Sequence, residues 1–147
     1  DIVFHHEGTL DKFVGDEIMA VWGSPVGQID HTDRAVHAAL DMMKALDDFN
    51  RFRVANGEDA INVGCGISTG KLVAGYMGST RTLSYTVIGD TVNLGARLCS
   101  HAAPGEVLVS TAVVNALGPR LRYEERASAE MKGKTGRVPI YRVLGLS

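Results

Sequence analysis

Four stretches of this chain place chemically useful side chains at useful spacings. The first is Lys12-Phe13-Val14-Gly15-Asp16-Glu17. A carboxylate beside a turn glycine lets a ligand approach closely, and Asp16 has the oxygen chemistry to hold Mg²⁺ together with substrate phosphates. Taken alone, Gly-Asp is also ordinary turn composition. The second runs from Tyr85 to Leu98, YTVIGDTVNLGARL. On a helix, Asn93 and Arg97 share a face because they are four residues apart. That pair suits a polyphosphate: the guanidinium fork meets phosphate oxygens, and the amide can orient a sugar. An exposed polar helix face would show the same pair. The third is Met131-Lys132-Gly133-Lys134-Thr135-Gly136, where lysines between glycines can reach a phosphate tail, as they can on any solvated loop. The fourth, Gly64 to Lys71, superficially resembles a phosphate-binding loop. It fails the pattern, because Cys65 stands five places before Gly70 and Leu72 follows Lys71 where Ser or Thr is required. The five histidines show no HxxxH or HExxH spacing, so no zinc site is expected.

These residues need elements to hold them. Thr9 to Val14 and Glu17 to Trp22 read as the two strands of a hairpin turning at Gly15-Asp16, ended by Gly23-Ser24-Pro25. Asp30 is a plausible N-cap for a helix in which Val36, Leu40, Met43, Leu46 and Phe49 recur at helical spacing down to Gly57. Ile61, Val63, Cys65 and Ile67 alternate with Asn62, Gly64, Gly66 and Ser68, which is strand periodicity with small residues on one face. A turn at Thr69-Gly70 into Leu72–Tyr76 suggests that these two runs form a second hairpin. Tyr85 to Ile88 reads as a strand, and Asp90 as the cap of a helix from Thr91 to about His101, with Val92, Ala96 and Cys99 as the stripe docking it on a sheet. Strand Val107–Val109, a short helix and two more strands follow, the last at Ile140–Leu144. This order implies an α+β domain, a largely antiparallel sheet with helices packed on one face.

At 147 residues the chain suits one domain with a real core. The net charge of −2 advertises neither nucleic acid nor an anionic membrane. No run is long and apolar enough for a spanning helix. Two cysteines without CxxC spacing fit a reduced, cytoplasmic setting. Because the sequence begins inside what reads as a helix (Asp1 to His6), a fragment or one module of a larger protein is expected, with any membrane attachment left to other domains.

Together the first two motifs resemble the class III adenylate and guanylate cyclases, and the similarity runs from Asp1-Ile2-Val3 through Tyr141-Arg142-Val143. Its specific parts are KFVGDEIMAVW (Lys12 to Trp22) and YTVIGDTVNLGARL (Tyr85 to Leu98). The resemblance implies a ferredoxin-like palm, ATP as substrate, two divalent metal ions (Mg²⁺ or Mn²⁺), and a head-to-tail homodimer with sites at the interface. It implies that Asp16 is one of two metal-binding aspartates, and that Lys12 and Thr86 recognise the base. Asn93 and Arg97 would stabilise the transition state, and Lys132 would contact the phosphates. Thr86 replaces an aspartate found in many adenylate cyclases and is similar to a mainly bacterial subclass that often responds to bicarbonate. Guanylate cyclases tend instead to carry Glu at the Lys12 position and Cys at the Thr86 position, so ATP is expected over GTP. The family's opening strand and first helix, with the second metal aspartate, have no counterpart in residues 1–147, so this segment by itself is expected to be inactive. Two alternatives are a guanylate cyclase and a non-catalytic nucleotide-binding or dimerisation module. A diguanylate cyclase fits less well, with one Gly before Asp16 and Ile18 in place of Phe.

Overall fold

Three consecutive apolar residues, Val107-Leu108-Val109, are all buried, and their strand organises the domain. Successive strand residues point to opposite faces. Val107 and Val109 join one core cluster with Val36, Ala39, Val113, Leu117, Leu121 and Val143. Leu108 joins a second cluster with Leu98 and Ile140. The computed structural model describes residues 2–14, 17–23, 28–78, 83–130 and 137–146. In chain order the elements are α1 (Ile2–His5), β1 (Thr9–Val14), β2 (Glu17–Val21), α2 (His31–Ala55), β3 (Cys65–Ile67), β4 (Val73–Gly78) and β5 (Leu83–Ile88). They continue with α3 (Asp90–His101), β6 (Val107–Val109), α4 (Thr111–Leu117), a 3₁₀ turn (Gly118–Arg120), β7 (Leu121–Glu130) and β8 (Arg137–Leu146).

Among these residues the strands form a four-stranded sheet in the order β3-β6-β8-β7 and two antiparallel ribbons, β1-β2 and β4-β5. Only β3 and β6 pair in parallel; the other described pairings are antiparallel. The α+β class with antiparallel bias is as the sequence leads one to expect. The expectation of helices on one face holds for α2 and α4, which meet the Val107/Val109 face. Helix α3 lies across the other face, on Leu108, because β6 has apolar side chains on both sides and each side needs a cover.

The hairpin expected around Gly15-Asp16 has its register fixed by the pair Val14↔Glu17. The second expected hairpin is a correction. β3 pairs with β6, and β4 pairs with β5 instead, from Val73↔Ile88 to Gly78↔Leu83. Alternation identifies a strand but not its partner. The strand also begins later than its pattern suggests, at Cys65. Ile61 and Val63 are exposed, and that segment is carried by α2: Asn50 both donates to the Ile61 carbonyl and accepts from its N–H at 2.8 Å. Arg53 holds the Asp59 carbonyl at the same distance.

Two helix starts also differ from expectation. Asp30 stands at the N-cap of α2, but its side chain makes no cap bond; its Oδ1 accepts from Arg34 Nε at 2.8 Å. That guanidinium holds the Asp30 carboxyl below its ordinary pKa. α3 begins at Asp90 itself, with Gly89 as N-cap, and Asp90 in the first turn puts negative charge at the positive end of the helix. No helix among the described residues is long and apolar enough to cross a membrane.

Candidate active site

Helix α3 owes its seat to small residues. A Cβ on Gly66 would lie 2.3 Å from the Cys99 nitrogen and 2.5 Å from the Gly95 carbonyl oxygen, so α3 rests on the bare backbone of β3. Leu98 is fully buried, and Leu94 and Ala102 pack beside it. The docking stripe is therefore Leu94, Gly95 and Leu98 with Cys99, not Val92, Ala96 and Cys99; Val92 and Ala96 flank it, half-buried. The small-residue face of β3, visible in the sequence as Gly64 and Gly66, was the signal for this close approach.

With that face turned to the sheet, Asn93 is exposed and Arg97 half-buried. Arg97 Nε is shielded from solvent and has no hydrogen-bond partner among the described residues. A buried, unpaired guanidinium N–H is costly, so this helix face holds a donor without an acceptor among the described residues. The end of α3 is pinned by Glu106, whose Oε1 accepts from the Ala103 N–H at 2.8 Å while Arg126 bonds its other oxygen. That backbone N–H, followed by the Arg126 guanidinium, holds the Glu106 carboxyl below its ordinary value.

Thr86 sits on β5 opposite Gly75 of β4. Lys12 sits on β1 opposite Met19, just after a register shift, and β1 is in contact with β5. The fold thus brings the Lys12 strand beside the Thr86 strand, and a single residue, Gly89, separates β5 from the helix bearing Asn93 and Arg97. Asp16 and Lys132 lie outside the described residues. Burial pushes the Cys65 thiol up to about 12, with Cys99 adding to the effect, so Cys65 is no nucleophile at neutral pH. Among the described residues no group of three or more His, Cys, Asp or Glu side chains could hold a metal. The hydroxyls of Ser68 and Thr91 fasten α3 to the loop after β3, and because both bond backbone carbonyls their role leaves no pattern of residue types in the sequence.

This arrangement is that of a nucleotide cyclase domain. The adenylate and guanylate cyclase catalytic domain family matches residues 4–145, and the chain belongs to that family. Adenylate cyclase 1 of Rhizobium meliloti (strain 1021) is 34% identical over 148 residues, covering 99% of this chain and 22% of that protein. The chain thus spans about a fifth of this relative's length. The crystal structure of the guanylyl cyclase Cya2 superposes with a TM-score of 0.92 at 34% identity, covering all of this chain and 75% of that one. The adenylyl cyclase CyaB from P. aeruginosa gives a TM-score of 0.88 at 28% identity, over 99% of this chain and 76% of that one.

Proposed function

We propose that this chain is the greater part of the catalytic domain of an adenylate cyclase, converting ATP to 3′,5′-cyclic AMP and pyrophosphate. The observation that carries this reading is Arg97, whose buried Nε lacks an acceptor among the described residues one helical turn from the exposed Asn93. In this reading the ribose 3′-hydroxyl attacks the α-phosphorus in line, and the bond to pyrophosphate breaks. Arg97 meets the charge developing on the phosphoryl oxygens, and Asn93 orients the ribose. Lys12 donates to an adenine ring nitrogen, and the Thr86 hydroxyl accepts from the exocyclic amine. Lys132 contacts the phosphates. No side-chain nucleophile is needed.

Asp16, between the paired residues Val14 and Glu17, has the donor chemistry to hold divalent ions with the substrate phosphates. Two such ions, Mg²⁺ or Mn²⁺, would lower the pKa of the hydroxyl and offset phosphate charge. Two ions call for a second carboxylate beside Asp16. The protein works as a homodimer with sites shared across the interface, in the cytoplasm. A guanylate cyclase is the second reading, favoured by the likeness to Cya2; Lys12 and Thr86 weigh for ATP.

Mixing inactive variants of the whole protein tests the shared site. Asp16→Ala and Arg97→Ala should each lose nearly all activity. Their heterodimers place both lesions in one site and none in the other, so activity should return toward half of wild type per heterodimer. Verified heterodimers that stay inactive would refute the shared site.

A further inference from the structure

The corner between β5 and α3 decides where Thr86 lies relative to Asn93 and Arg97, yet its own residue cannot fix it. Gly89 is the only residue between the two elements, at φ +136, and a Cβ there would meet nothing closer than 3.6 Å. The constraint comes from two residues further on. Thr91 Oγ1 donates to the Lys71 carbonyl at 2.7 Å, and the Thr91 carbonyl accepts from the Ser68 hydroxyl. Gly70, at φ +150, has no side chain to keep the loop away; a Cβ there would lie 3.0 Å from Thr91 Oγ1. Because Val73 pairs with Ile88, Lys71 lies just beyond the end of the β4-β5 ribbon. The Thr91–Lys71 bond therefore closes a ring through Ile88, Gly89 and Asp90 on one side and Leu72 and Val73 on the other. The ring is referenced to the rest of the domain at Thr69, whose hydroxyl bonds that of Thr32 at 3.1 Å; Thr32 is buried in the first turn of α2.

We propose that Thr91 is a positioning residue: its hydroxyl, with Ser68, locks the angle between the β4-β5 ribbon and α3. For catalysis this rests on the cyclase reading, because the lock sets the base-reading strand against the phosphate-facing helix. Thr91→Val keeps the shape and removes the donor, and Thr91→Ser keeps the donor. In the whole protein, Thr91→Val should lower kcat on the order of tenfold with KM little changed, as misplaced reacting groups do, and Thr91→Ser should restore it. A merely structural role would reduce the amount of folded protein and leave kcat per folded molecule intact. Amide hydrogen exchange gives a readout independent of turnover: Thr91→Val should speed exchange across residues 68–72 and the first turn of α3. If Thr91→Val does not fold, Ser68→Ala is measured in the same way. Wild-type kcat and wild-type exchange in the folded variant overturn the proposal. If the unmodified protein turns over neither ATP nor GTP, the cyclase reading fails and exchange alone decides the lock, unchanged exchange again overturning it.

Discussion

Helix α3 and the β1-β2 hairpin each carry residues of the candidate site, yet they are held very differently. α3 presses on the backbone of Gly66, buries Leu98 completely, and is fastened by hydroxyls at its start and by Glu106 past its end. The hairpin is a two-stranded sheet of its own among the described residues, resting on α1 and β5, with Trp22 Nε1 donating to the His6 carbonyl at 3.0 Å. A lone two-stranded ribbon is marginal in water, so the hairpin depends on neighbours for its place. Substitutions under α3 should therefore act through packing, and substitutions on the hairpin and β5 through chemistry.

The largest effect should come from Gly66→Ala. The new methyl meets backbone atoms of α3 at 2.3 to 2.8 Å, which cannot rotate away, so the helix must shift. A loss of about 3 kcal/mol in urea unfolding is expected, at the upper end for an overpacked site. Cyclase activity should fall with it even where the variant remains folded. Unchanged stability would mean that α3 is not seated on bare backbone, and the contrast between the two regions would dissolve.

The hairpin side is sharpened by Lys12→Glu combined with Thr86→Cys in the whole protein. Each altered hydrogen bond, at about 1.4 kcal/mol, is worth roughly tenfold in rate, so relative use of GTP over ATP should rise on the order of tenfold or more. The unfolding midpoint should hardly move. Unaltered discrimination would place base recognition elsewhere.

The smallest effect concerns acid. The Glu106 carboxyl lies below its ordinary 4.5, through the Ala103 N–H first and then Arg126. A carboxyl depressed in the folded state contributes stability above its unfolded pKa and loses it as pH falls through the folded value. Glu106→Gln should therefore be less stable than wild type at neutral pH, with the gap closing below about pH 4. Urea midpoints across that range provide the measurement, and a constant gap would show that the carboxylate charge is not what holds the end of α3.

The strands and long helices were legible in the sequence because periodicity reports which side of an element is apolar. Val14-Gly15-Asp16-Glu17 announced its own hairpin, since a turn is a local matter. The spacing of Asn93 and Arg97 fixed their common helix face for the same reason. Residues distant in sequence decided the rest. Whether Cys65–Ile67 pairs with the next strand or with Val107–Val109 turns on long-range burial, which places the small side of β3 against α3. The same burial moved the docking stripe of α3 to Leu94 and Leu98, because those side chains meet Leu108 and Ile140. Composition and spacing alone thus determined which side chains could do chemistry. Only the tertiary structure decided which helix face stays free to present them, because a face is free only when its opposite finds a partner to cover it.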